Sequence, residues 1–433
     1  MKHLILLLLC AALVQPGRAQ AVLTLEEAVS LALANNYDIQ IARNESVIAG
    51  NDHALGNAGF LPSLALSTGY SGTIADTKQT FLNDTSSERD GAQTTRQSLA
   101  AQANWTLFDG LRRFATYQRL DAQLERQQID TRRVTESVLA DVVVSYANLV
   151  RQQQQRTVFE EAVAISEERQ RIAELRRDLG SASDLEVRQA RLDLNADRAA
   201  LLRQETGLIN AKAAFNQLLV RPLNLDYAVA DSIEIGIDAD VEVLLAEAVG
   251  RNTTLQFVQQ ERAIAALSLR EVRAERLPSI DLSASYGYSN LEAESGFLLA
   301  NRSTDFNYGI TLSFDLFDGF NRRRRSRNAA VRLQNAELTI EDARAQIQTD
   351  ILRFYEDYRN SLELTALERE NLGLARANVE IGLERFRLGT ITSIELREVQ
   401  EQLTQAQSRL LLAQFETKRA EVELLRLSGR LGG

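Results

Sequence analysis

Residues 277–289 read Leu277-Pro278-Ser279-Ile280-Asp281-Leu282-Ser283-Ala284-Ser285-Tyr286-Gly287-Tyr288-Ser289. After the proline, Ile280, Leu282, Ala284, Tyr286 and Tyr288 face one side of an extended chain. Asp281, Ser283, Ser285, Gly287 and Ser289 face the other. A period of two with one apolar face marks a strand with one side away from water. A second stretch repeats the pattern, with Phe306, Tyr308, Ile310, Leu312, Phe314 and Leu316 alternating with small polar residues. Earlier in the chain so do Leu64, Leu66, Thr68 and Tyr70, and again Leu99, Ala101, Ala103, Trp105 and Leu107. The apolar faces are rich in Tyr, Phe and Trp, as at a membrane interface, and the opposite faces suit a water-filled lumen. Each run is about ten residues, the length that spans a bilayer when tilted. Strands half-buried on a soluble core would alternate too, but without aromatic faces opposite lumen-like ones. Four strands cannot close a membrane barrel, and an open edge in lipid leaves backbone groups unpaired. The strands are therefore pooled between copies of the chain.

The quoted stretch has a twin. Leu61-Pro62-Ser63 returns as Leu277-Pro278-Ser279 at an offset of 216, which also aligns Asn36 with Asn252. Beyond the first strand the offset becomes 209: Leu107-Phe108-Asp109-Gly110 returns as Leu316-Phe317-Asp318-Gly319, Tyr146 as Tyr355, and Leu179-Gly180 as Leu388-Gly389. The seven-residue difference falls between Ser71 and Gln97, in a loop where length is cheap to vary. The chain reads as a tandem duplication. The expected layout is a leader over 1–19, a first repeat over 20–219, a linker over 220–240, a second repeat over 241–428 and a tail over 429–433. The first repeat holds strands near 61–75 and 97–108, a long helix near 109–178 and a return helix near 184–219. In the second the strands fall near 278–291 and 304–317, the long helix near 318–388 and the return helix near 393–428. Pro62 and Pro278 mark the helix-to-strand joints; Asp109, Gly110, Asp318 and Gly319 mark the strand-to-helix joints, with the aspartates as N-caps.

Apolar residues step by seven in the distal helices: Val158, Ile165, Ile172 and Leu179, matched by Leu367, Leu374, Ile381 and Leu388. The return helices keep the step through Val187, Leu194, Leu201, Leu208 and Phe215, and through Leu396, Leu403, Leu410 and Leu424. That period gives left-handed coiled coils. A long helix of about 70 residues reaches roughly 100 Å. A return helix and a helix over about 25–59, stacked end to end, match that length, which places the linker at a waist.

Composition excludes much else. The chain has 433 residues, four Pro, one Cys and two His. Lys2 and His3, the apolar run Leu4–Val14 and Pro16-Gly17-Arg18-Ala19 form the three parts of a secretory leader, with cleavage before Gln20. Its loss removes His3, Cys10 and Pro16, leaving no Cys and one His, His53, expected on a helix surface. Disulfides, thiolate nucleophiles, metal clusters and a His-based triad have almost nothing to be built from, so no enzyme, cofactor or metal is expected. The leader also takes two of the 49 basic residues against 59 acidic ones, which speaks against nucleic acid as a partner.

The order and duplication of the Leu-Pro-Ser joints, the Leu-Phe-Asp-Gly joints and the Leu-Gly turns, followed by Ser183-Asp184-Leu185 and Thr392-Ser393-Ile394, resemble the TolC-like outer membrane factor family. The resemblance implies a mainly α fold, with a homotrimeric 12-stranded β-barrel in the outer membrane of a Gram-negative cell, four strands per protomer. An α-helical coiled-coil tunnel would continue it through the periplasm. It implies a passive exit duct in a tripartite efflux pump or type I secretion system, joined to a periplasmic adaptor and an inner-membrane pump of RND or ABC type. Outer-membrane lipid would meet the interface aromatics Tyr70, Trp105, Tyr286, Tyr288, Phe306 and Tyr308. The family's acidic ring at the periplasmic entrance maps to Glu395 and Glu398, and a latching Arg is replaced by Ile391. Leu179, Gly180, Leu388 and Gly389 would meet the adaptor, and opening would unwind the second hairpin, Leu374–Leu410. The cluster Arg322–Arg325 with Arg327 suits anionic headgroups, a neighbouring chain or a solvated first helical turn. The competing class is an exported coiled-coil scaffold without a transport role.

Overall fold

The computed structural model describes residues 22–431 except positions 83, 231, 238–239 and 297. The expected leader lies outside the described residues. The first half runs β1 (Val22–Leu23), α1 (Leu25–Asn35), α2 (Tyr37–Asp52), β2 (Ser63–Thr80), β3 (Ser86–Phe108), α3 (Arg112–Asp178) and α4 (Asp184–Leu218). The second runs β4 (Ala228–Val229), α5 (Val241–Arg251), α6 (Thr253–Ala274), β5 (Ser279–Ala293), β6 (Ala300–Ser313), α7 (Asn321–Arg387) and α8 (Ser393–Ser428). Their contacts form two units: residues 45–128 with 257–341, and the remainder.

The first of these units holds an antiparallel sheet in the order β2-β3-β5-β6. Register gathers the apolar residues on one face: Leu66 lies opposite Ala101, Ala101 opposite Tyr286 and Tyr286 opposite Phe306. One row along, Leu64 meets Ala103, Ala103 meets Ala284 and Ala284 meets Tyr308. Among the described residues nothing covers that face. Leu64 is 80% exposed, Tyr70 71%, Tyr308 78% and Leu312 67%; Trp105, Tyr286, Tyr288 and Phe306 are exposed too. The Trp105 indole N–H donates to the Phe60 carbonyl at 3.0 Å. Strands β2 and β6 are both open edges.

Element ends differ from the sequence expectation for physical reasons. The β2–β3 hairpin continues past the apolar band as a polar ribbon, pairing Thr73 with Thr94 and Lys78 with Glu88. No hydrophobic alternation marks that part. Strand β6 stops at Ser313 rather than near 317, because its partner begins at Ser279 and Pro278 has no N–H to continue the ladder. The long helices begin at Arg112 and Asn321, three residues past the aspartates, because Gly110 and Leu111, like Gly319 and Phe320, are left-handed. Gly110 is required there, since a Cβ would lie 2.5 Å from the Ala274 carbonyl. The aspartates still act on the first turn: Asp109 accepts from the Arg113 N–H at 2.9 Å, and Asp318 from the Arg322 N–H at 2.7 Å. Arg113 then pins the joint by donating to the Thr106 carbonyl, and Arg322 does the same to Asp315. Arg322 is thus a structural pin, separate from the other arginines of its cluster. His53 is not a plain surface residue: it follows α2 and its ring packs 4.6 Å from Tyr117.

The helix expected over about 25–59 is two helices, α1 and α2, and its counterpart is α5 and α6. Asn36 and Asn252 make the breaks. Each side-chain carbonyl caps the following helix, Asn36 accepting from Asp38 and Asn252 from Leu255, both at 2.9 Å. Each amide donates to the end of a return helix, to Leu218 at 3.0 Å and to Leu427 at 2.9 Å. Beside them β1 pairs in parallel with β4. The Tyr146 hydroxyl donates to Leu23 and accepts from Ala230. Leu23, Ala28, Ile39, Val142, Leu149 and Phe215 close a core around this pairing.

Candidate functional site

The second unit contains two helical hairpins, α3–α4 and α7–α8, whose turns end in the same way. Gly180 and Gly389 are left-handed, and the N–H groups of Ser181 and Thr390 bond back to the carbonyls of Arg176 and Arg385. This satisfies the last carbonyls of each long helix. Ser183 and Thr392 then cap the return helices. Leu179 and Leu388 at the turns, with Leu185 and Ile394 one turn later, are all about three-quarters exposed.

Glu395 and Glu398 separate in role. The Glu395 carboxylate folds back onto the helix start, accepting from the Thr392 N–H at 2.7 Å and its hydroxyl at 2.8 Å. Those bonds, the backbone one foremost, hold its carboxyl below the usual carboxylate range. Glu398 is exposed and makes no ion pair or hydrogen bond among the described residues. In the first hairpin Glu186 pairs with Arg176 at 3.1 Å, and Gln189 donates to Asp193.

The hairpins are joined to each other by a ladder of mostly polar contacts. At the ends the Arg176 guanidinium lies 5.1 Å over the buried Phe386 ring. Phe386 packs with Ile172, Ala173, Ala190 and Leu396, and Ile391, at the position of the family's latching Arg, joins this apolar cluster. Arg387 pairs with Glu168 at 2.8 Å. Hydrogen bonds from Arg171 and Arg387 pull the Glu168 carboxyl down to about 2. Next comes a fork: Arg397 binds both oxygens of Asp197, at 2.6 and 3.0 Å, while Ser166 donates to the same carboxylate. Burial opposes the Arg397 charge, but Asp197 and Glu401 outweigh it and raise its pKa. Gln407 donates to Glu161, and Gln155 to Ser408. Beside the fork Arg169 is fully buried with one bond, to Asp193, and its Nε and Nη1 unpartnered. Burial pushes its pKa down. A packed interface with an under-satisfied buried cation is less stable than an apolar one would be. This ladder was not legible in the sequence. Its members sit on heptad flanks among many similar charges, and only the fold pairs them across 200 residues.

The arrangement holds the two helix pairs together. A one-sided apolar sheet carried on long paired helices is the construction of an outer-membrane channel subunit. The family described as "Outer membrane efflux protein" matches residues 28–220 and 244–430. Protein CyaE of Bordetella pertussis is 27% identical over 414 residues, 95% of this chain and 85% of that protein. The alkaline protease secretion protein AprF of Pseudomonas aeruginosa is 23% identical over 401 residues, 89% of this chain and 80% of its own. The solved outer-membrane channel OprN superposes with a TM-score of 0.77 at 20% identity, covering 94% of this chain and 90% of that one. The chain belongs to the outer membrane efflux protein family. It is an outer-membrane exit duct of a Gram-negative cell, and it works with adaptor and pump partners.

Proposed function

We propose that three copies of the chain pool their four-stranded sheets into a 12-stranded barrel in the outer membrane, continued by a periplasmic helical tunnel. The observation that carries this is the sheet itself: one uncovered apolar face and two open edges, β2 and β6. Neither is stable in lipid until the edges close on other copies. On this reading the two halves descend from one duplicated unit, with a leader over 1–19 and a waist near 220–240. Tyr70, Trp105, Tyr286, Tyr288, Phe306 and Tyr308 line the lipid interface.

The duct serves a type I secretion system or a tripartite efflux pump; the relative named for alkaline protease secretion favours the first. Its periplasmic end is closed at rest by the ladder between the hairpins. Opening breaks the Arg387–Glu168 and Arg397–Asp197 contacts and moves the second hairpin, Leu374–Leu410, away from the first. Leu179, Gly180, Leu388 and Gly389, with Leu185 and Ile394, meet the adaptor. Glu398 supplies the free carboxylate that favours cations at the entrance, with Glu395 placing a second charge beside it. Extraction tests the assembly: the protein should require detergent and run at three times the protomer mass. A detergent-free, monomeric protein would instead be the coiled-coil scaffold.

A further inference from the structure

The two halves serve as controls for each other, and just past the sheet they differ in charge. On α7, Arg323, Arg324, Arg325, Arg327 and Arg332 stand where α3 has Phe114, Ala115, Thr116, Gln118 and Gln123. On α6, Arg270, Arg273 and Arg276 stand where the first half has Ala54, Asn57 and Phe60. The joint itself does not need this excess. Arg322 pins it as Arg113 does in the first half, and Arg325 is occupied by Glu275 at 2.8 Å. Among the described residues the exposed Arg323, Arg327 and Arg332 make no hydrogen bond or ion pair, and the Arg324 side chain reaches only Asn321, at 3.4 Å. Unpaired cations in the first turns of a helix oppose its dipole and repel one another, so they lower stability unless an anion joins them.

What lies beside them indicates which anion. Phe314, Leu316, Phe317 and Phe320 are all more than half exposed, with Phe317 and Phe320 packed edge to face at 5.3 Å. Arg323, Arg324 and Arg327 are spaced to share one helix face, and Phe320 immediately precedes that helix. At the edge of that face Arg324 also lines an open groove of about 320 Å³ between α6 and α7, with Ser268, Val272, Arg325, Asn328 and Arg332. Exposed aromatics passing within one turn into unpaired arginines match the boundary between acyl chains and phosphate headgroups. We infer that this face of the second half is a binding site for the phosphate headgroup of an anionic phospholipid of the inner leaflet. The inference rests on the outer-membrane placement of the sheet. It assigns the arginines to the lipid rather than to a neighbouring chain, because the segment leading into them exposes Phe314, Leu316 and Phe317, which suit acyl chains.

Lipid binding to the detergent-purified full-chain oligomer, titrated by native mass spectrometry with phosphatidylglycerol and with phosphatidylcholine, tests it. Each surface arginine contributes roughly fivefold to attraction by an anionic lipid surface. The triple variant Arg323→Gln, Arg324→Gln, Arg327→Gln should therefore lose about a hundredfold in phosphatidylglycerol affinity, and the matching Lys variant should keep most of it. Wild-type preference for phosphatidylglycerol should also weaken as salt rises, a readout that needs no variant. Equal wild-type affinity for the two lipids would overturn the site. So would full displacement by an equal concentration of inorganic phosphate, or a Gln variant that falls apart into protomers with its lipid preference intact. Recovery of the wild type in the outer-membrane fraction, with no preference, would remove the lipid site and leave the duct standing.

Discussion

Replacing Asp197 with alanine removes the fork that ties α4 of the first hairpin to α8 of the second. Two charge-assisted bonds, at 2.6 and 3.0 Å, join side chains that are 22% and 13% exposed. A fully exposed pair would contribute under about 1 kcal/mol, and hydrogen bonds to charged groups in part-buried sites about 1.5–3 kcal/mol. About 2 kcal/mol per protomer is the value that burial supports. At 1.36 kcal/mol per tenfold, this shifts each protomer's closed-to-open equilibrium roughly 30-fold. Arg397 keeps Glu401 at 2.7 Å, so the variant leaves no bare buried cation at that position. The assay is planar-bilayer conductance of reconstituted protein, run as a double-mutant cycle of Asp197→Ala, Arg397→Ala and both. Each single variant should conduct more than wild type, and the double should add little, giving a coupling near 2 kcal/mol. A coupling under about 0.5 kcal/mol, or unchanged conductance in both single variants, would show that the fork does not hold the duct shut.

Other outcomes follow from the same geometry. Glu398→Gln should lower cation selectivity in bilayers with little effect on thermal stability, whereas Glu395→Gln should loosen the start of α8; the reverse pattern would misassign the pair. For Glu168, whose carboxyl is depressed to about 2, the stabilisation is complete above the ordinary glutamate value and is lost only as pH falls toward 2. Wild type at pH 5 should therefore stay as closed as at pH 7, while Glu168→Gln opens at both; conductance against pH separates these. Asn36→Ala and Asn252→Ala each remove a helix cap and a buried amide bond and should cost about 1–2 kcal/mol in denaturant unfolding. A cost near zero for both would mean that the breaks are set elsewhere.

The sheet was readable because its physics is local. Tyr286 and Phe306 alternate with small polar neighbours, and the pleat turns that alternation into one face. The hairpin turns were readable for the same reason, since Gly180 and Gly389 follow heptad runs that cannot continue past a left-handed residue. The breaks at Asn36 and Asn252 were harder. Apolar spacing runs through them, and their shared offset said that they matter without saying how. The polar ribbon beyond Thr73 left no trace, because backbone pairing alone builds it. The ladder was least legible: Asp197 and Arg397 are two charges among 108 in the chain, and nothing local distinguishes them. Glu395 shows the opposite limit, because Thr392 and Glu395 spell a capping box that competes for the carboxylate assigned to the entrance.

The most direct test of a duct that opens by parting its hairpins is to stop them parting. Cysteines at Ser181→Cys and Thr390→Cys, in a mature chain expected to have none, can be joined by a reducible bifunctional crosslinker. Crosslinked protein should assemble and reach the outer membrane but export nothing, with export restored on reduction. Export that continues at full rate with the crosslink in place would contradict opening at the hairpin ends.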